Sequence, residues 1–99
     1  MVIYDVTDDN LRSQIASFLT SKGLRRVQWS AFLGELTSSQ LREVESGLLS
    51  LVRRKAKEGE RANVQIFPMT EAQVRNRVVI DGSSGKGGGE GKEEGRVLI

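Results

Sequence analysis

Two stretches of helical periodicity, each with its own start and stop signals, alternate with short β-prone runs and restrict what this chain can fold into. In the first, Thr7, Asp8 and Asp9 offer N-caps and first-turn acids, and Leu11, Ile15, Phe18 and Leu19 recur at helical spacing until Lys22 and Gly23. The second opens on a capping-box pattern, Thr37 to Gln40. It carries Leu41, Val44, Leu48, Leu51 and Val52 on one face and ends in Arg53, Arg54, Lys55 and Lys57 before Gly59. A cationic C-terminal turn suits the negative end of the helix dipole.

The runs between them read as strands. Val2, Ile3 and Tyr4 form an apolar run without alternation, closed by Asp5, which predicts a central strand covered on both faces. Val27, Trp29 and Ala31 alternate with Gln28 and Ser30, so residues 25 to 36 form either one bent strand or a tight pair of strands around Gly34. Ala62, Val64 and Ile66 alternate with Asn63, Gln65 and Phe67 up to Pro68, which removes a ladder donor and ends the strand. Thr70 to Gln73 begins another helical turn, and Val78, Val79 and Ile80 predict a short strand. Residues 82 to 95 hold seven of the eleven glycines and read as a flexible tether. Arg96, Val97, Leu98 and Ile99 are β-prone again and are expected to add to a sheet edge, that of a partner subunit included. The order predicts an α+β domain, a sheet covered by two helices as in ferredoxin-like folds.

Composition then narrows the chemistry. With 99 residues and 37% hydrophobic content there is one modest core, which oligomerisation would help. The absence of Cys excludes disulfides and thiolate sites, and the absence of His removes the usual acid or base near neutral pH. Any catalysis must rest on carboxylates, and hydrolysis at neutral pH would need a metal that acidifies bound water. No stretch approaches the roughly 20 apolar residues of a membrane span, and no signal-peptide pattern opens the chain, so a cytoplasmic protein with no membrane partner is expected. The net charge is only +2, but residues 1 to 9 carry acids without cations and residues 10 to 31 carry Arg12, Lys22, Arg25 and Arg26 without acids.

Asp5 stands at the end of an apolar strand, where ligand sites favour a side chain. Beside Asp8 and Asp9 it would offer oxygens to a hard cation, since Mg²⁺ takes one or two carboxylates plus waters and phosphates. The same three acids also suit plain helix capping, with Asp8 pairing to Arg12 at i,i+4. Arg12, Arg25 and Arg26 fit phosphates bidentately, or serve as surface arginines neutralising nearby acids. Trp29 and Phe32 should face opposite ways in an unbent strand, leaving at least one for core or interface. Gly85 and Lys86 do not make a phosphate loop, because Lys86 precedes Gly87 and no helical run follows.

Taken together, Tyr4-Asp5-Val6-Thr7-Asp8-Asp9-Asn10-Leu11-Arg12 and Gly23-Leu24-Arg25-Arg26-Val27-Gln28-Trp29-Ser30-Ala31-Phe32-Leu33-Gly34-Glu35-Leu36 resemble the Cas-two family. These are the smaller of the two universal CRISPR adaptation proteins. The resemblance spans roughly residues 1 to 81, two separated motifs in order being more specific than either alone. It implies a ferredoxin-like βαββαβ homodimer, with residues 1 to 81 as the domain, 82 to 95 as the tether and 96 to 99 as an extra strand crossing to the partner subunit. It also implies that Asp5 of each subunit meets its mate to hold Mg²⁺ as the catalytic metal ligand. Arg12 and Arg26 match family positions tied to nucleic acid, Phe32 a family aromatic near the site, and Tyr4 the Tyr-Asp pair. Gln14 departs from the second basic residue that members often carry in the first helix.

Two functions follow from the resemblance. One is a Mg²⁺-dependent endonuclease cutting RNA or double-stranded DNA during spacer acquisition with the larger CRISPR integrase. The alternative is a non-catalytic DNA-binding scaffold of the integrase complex. A regulatory ferredoxin-like domain that binds a small ligand is a third reading.

Overall fold

The structure is a computed structural model that describes residues 1 to 82. The described chain divides into two units, Met1–Phe67 and a second that begins at Pro68. In the first unit the element order is β1 (Val2–Val6), α1 (Asp9–Ser21), β2 (Arg25–Gln28), β3 (Ala31–Leu33), α2 (Ser38–Lys55) and β4 (Ala62–Ile66). The strands form one sheet in the order β2-β3-β1-β4, with every neighbouring pair antiparallel. This is the ferredoxin-like βαββαβ arrangement, and the α+β class expected from the element order holds.

Strand β1 is central, as expected, but it is covered on one face only. Val2, Tyr4 and Val6 are buried while Ile3 and Asp5 are exposed. An all-apolar Val-Ile-Tyr run conceals the period of two, and Asp5 continues the ladder, pairing with Asn63 of β4, rather than closing it. The buried face joins Leu11, Ile15 and Leu19 of α1 and Val44 and Leu48 of α2 in a single core, with Ala62, Val64 and Ile66 packed against it. Both helices therefore lie on one side of the sheet. Each fully buried aliphatic side chain contributes about 1.5–3 kcal/mol by leaving water. Where α1 passes α2, the Phe18 ring lies against the backbone of Gly47, in the space a Cβ there would occupy.

The segment after α1 is the tight pair of strands, turning at Trp29 and Ser30 rather than around Gly34. A bulge between Arg26 and Gln28 shifts the register, so the alternation of Val27, Trp29 and Ala31 does not mark one face. Gly34 has a different task. It follows β3 where the chain passes Leu24 so closely that a Cβ would meet the Leu24 Cα and Cγ at 3.0 Å.

The caps fall where the pattern puts them. Asp8 caps α1 through the Leu11 N–H at 2.8 Å. Thr37 and Gln40 form the capping box of α2, and Arg53, Arg54 and Lys55 fill its last turn. In the second unit, α3 (Glu71–Arg75) is a short helix with its own Thr70–Gln73 capping box. Val78, Val79 and Ile80 form no strand, a correction to the expectation: they have no ladder partner among the described residues, and β-propensity alone does not supply one. Residues 83 to 95 of the expected tether, and the expected terminal strand 96 to 99, lie outside the described residues. No described helix is long and apolar enough to cross a membrane.

Candidate metal and nucleic-acid site

The face of the sheet opposite the helices carries Asp5. As the fourth of the five residues of β1, it projects on the same side as Ile3 and, across the ladder, Asn63 and Gln65, all exposed. Its carboxylate receives the Arg61 Nε–H at 3.1 and 3.2 Å. Arg61 is placed by the strand ends, because its backbone N–H donates to Thr7 Oγ1 at 3.2 Å and its carbonyl accepts the Thr7 N–H at 3.0 Å. Both side chains of this ion pair are more than half exposed, so it is worth about 0–1 kcal/mol and a stronger cation can displace the guanidinium. Arg61 was invisible to sequence patterning; only the β1–β4 register brings it beside Asp5.

The other acids do not join Asp5. Asp8 turns its carboxylate to the Leu11 N–H, with Lys57 Nζ 3.6 Å away. That backbone hydrogen bond, helped by Lys57 and Arg12, holds its carboxyl below the ordinary range. Asp9, one residue into the helix, pairs with Arg12. The expected Asp8–Arg12 pair is thus replaced by Asp9–Arg12, since the capping geometry turns Asp8 toward the helix backbone. Among the described residues no three acids gather as a metal site. Of the arrangements open to Asp5, Asp8 and Asp9, Asp8 takes the helix cap, Asp9 pairs with Arg12 in the first turn, and Asp5 stands apart. One exposed carboxylate is a donor that Mg²⁺ accepts, provided waters and phosphate oxygens fill the rest of its shell.

Arg12 also donates from Nη1 to the Val6 carbonyl at 3.0 Å, pinning the end of β1 to the start of α1. Tyr4 and Phe32 lie in the core at 3% and 2% exposure, their rings stacked with centroids 6.3 Å apart. Neither ring meets solvent, so neither stands where it would touch a nucleic-acid strand, and the Tyr4 hydroxyl is buried without a hydrogen-bond partner among the described residues. Arg26, by contrast, is exposed. Its guanidinium lies 5.2 Å from the Phe32 ring and 5.3 Å from the Trp29 ring.

A family profile described as CRISPR associated protein Cas2 matches residues 1–77. The chain belongs to the Cas2 family. Among Cas2 relatives, the "CRISPR-associated endoribonuclease Cas2" of Korarchaeum cryptofilum is 34% identical over 88 residues, 88% of this chain and 89% of that one. The "CRISPR-associated endoribonuclease Cas2 1" of Archaeoglobus fulgidus is 35% identical over 80 residues, 81% of this chain and 80% of that one. A "CRISPR-associated endonuclease Cas1/endonuclease Cas2 fusion" of Thermoproteus tenax is 31% identical over 74 residues, 75% of this chain and 26% of the fusion. The resemblance carried by the two Cas2 motifs is therefore a family relationship, and it covers the sheet, both long helices and Asp5.

Proposed function

We propose that this chain is a metal-dependent endonuclease of CRISPR adaptation, acting as a homodimer on phosphodiesters of RNA or double-stranded DNA in the cytoplasm. The observation that carries the reading is Asp5: an exposed carboxylate on the sheet face opposite α1 and α2, paired among the described residues with an exposed arginine, in a chain whose relatives are named endoribonucleases. Two-fold pairing across that face would bring Asp5 against its symmetry mate and double the donor set. A bound Mg²⁺ would supply the Lewis acidity and activated water that a chain without histidine otherwise lacks. Asp5 would hold the ion, and Arg61, released from Asp5, would be free to take a phosphate oxygen. Arg26 would bind backbone phosphate from the β2 edge. Arg12, Tyr4 and Phe32 serve this site indirectly, Arg12 by fixing the end of β1 and the two rings by packing beneath it.

The test compares wild type with Asp5→Ala on labelled single-stranded RNA and duplex DNA, with Mg²⁺ and with chelator. Cleavage in wild type with Mg²⁺ only is expected, with a loss of at least about 100-fold in the variant, consistent with the several kcal/mol a catalytic metal supplies. Equal cutting by wild type and variant, with Mg²⁺ and with chelator, on both substrates would remove the nuclease reading. A second reading is a non-catalytic scaffold for the larger integrase; the Thermoproteus tenax relative, named a Cas1/Cas2 fusion, supports the association that both readings share. It expects Asp5→Ala to retain spacer integration with the integrase.

A further inference from the structure

The β2–β3 hairpin ends in an indole that the core does not use. Trp29 is 69% exposed, whereas Tyr4 and Phe32 are buried. The indole is nevertheless held. The Arg26 guanidinium stacks over it at 5.3 Å and over the buried Phe32 ring at 5.2 Å, so one cation links a fixed core ring to the surface ring. That contact lies over one face of the indole, and Trp29 as a whole stays mostly exposed beside it. Neither Arg25 nor Arg26 forms an ion pair with any described residue, and the neighbours along the hairpin, Gln28 and Ser30, are polar.

We propose that Trp29 is a stacking platform for an unpaired nucleobase, with Arg25 and Arg26 taking the adjoining phosphates. This rests on the reading above that the chain binds nucleic acid. A flat aromatic face beside two guanidinium groups that have no ion-pair partner among the described residues matches the two chemistries of a single strand, a π-face and a phosphodiester. A protein partner seeking apolar burial would find one indole among polar and cationic neighbours. Bases inside a duplex present no free face, so the platform selects unpaired or terminal nucleotides. Because Arg26 already orients the ring, little conformational freedom is lost when a base arrives.

Trp29 is the chain's only tryptophan, so its emission reports this place alone. The full chain is titrated, with Mg²⁺ omitted, with a dye-labelled single-stranded oligonucleotide and with a dye-labelled dumbbell duplex sealed at both ends by non-nucleotide linkers, which has neither unpaired bases nor free ends. Dye anisotropy measures binding independently of the indole. Quenching that saturates with the anisotropy curve is expected for the single strand and not for the dumbbell. Trp29→Ala should weaken single-strand binding by about tenfold, as loss of a base–aromatic stack does, while Trp29→Phe keeps most of it. Dumbbell binding should stay within about twofold, since phosphate contacts remain. Binding by anisotropy with unchanged indole emission overturns the stacking proposal and leaves the nucleic-acid reading standing. No anisotropy change with either probe overturns both. Emission that moves with the integrase subunit, and not with oligonucleotide, overturns the proposal in favour of a protein interface.

Discussion

Tyr4 and Phe32 show how a residue's neighbours decide what it can do. Adjacent to Asp5 in the chain, Tyr4 points the opposite way, because successive strand residues face opposite sides of a sheet. Its hydroxyl is buried with no described partner, so Tyr4→Phe removes a group whose desolvation nothing in the described protein offsets. Stability in urea should stay within about 1 kcal/mol of wild type or rise, whereas Phe32→Ala, emptying the centre of the core, should cost about 3–5 kcal/mol. A large loss for Tyr4→Phe would show that the hydroxyl is anchored after all. Asp8 makes a pH-dependent prediction. Its folded pKa is depressed from 3.8, chiefly by the Leu11 N–H it accepts, so its contribution is complete above that value and is lost as pH falls through the lower folded one. The Tm difference between wild type and Asp8→Ala should therefore be constant near neutrality and shrink only below about pH 3.8, when the carboxylate protonates. A difference that shrinks already near pH 6 would mean another group governs it.

Among the elements, the helices were legible and the strand faces were not. Caps and 3.6-residue spacing are local, so Asp8, Thr37 and Gly23 marked the helix ends from sequence alone. The turn at Trp29 and Ser30 was hidden by a bulge, and the one-sided burial of β1 by three consecutive apolar residues. Gly47 was silent for a related reason: nothing in an amphipathic pattern says that a neighbouring helix will press a ring onto its backbone. Its role can be measured by a sign reversal. Alanine gains about 1 kcal/mol over glycine in a helix interior, while forcing a methyl into a packed ring costs about 1–3 kcal/mol. Gly47→Ala should be net destabilising in wild type, because the Phe18 ring occupies the methyl position, and stabilising by about 1 kcal/mol in a Phe18→Ala background. Chemical denaturation of the four proteins gives the coupling, and the same sign in both backgrounds would contradict the contact.

At the scale of the whole molecule, α1 and α2 cover one face of the sheet, and the opposite face carries Asp5, which among the described residues is committed to neither capping nor core. The Asp5–Arg61 pair spans 56 positions in the chain, so no local pattern reveals it; the motif singles out Asp5 as a candidate, and only the fold brings Arg61 to it. A 99-residue protein with a thin core would gain from covering this face, and in the proposed homodimer a two-fold axis through it would let one Asp5 carboxylate per chain become two. Ile3 tests the arrangement without touching the acid. It lies two residues from Asp5 on the same face and is 40% exposed. Wild type should run in light scattering at twice the 10.9 kDa chain mass, and Ile3→Asp, placing like charges near the axis, should shift it toward the single-chain mass. Its cleavage should fall in parallel and recover as protein concentration rises, because the defect is in pairing and mass action opposes it. An Ile3→Asp protein that stays dimeric and active would put the two-fold axis elsewhere and separate Asp5 from its mate.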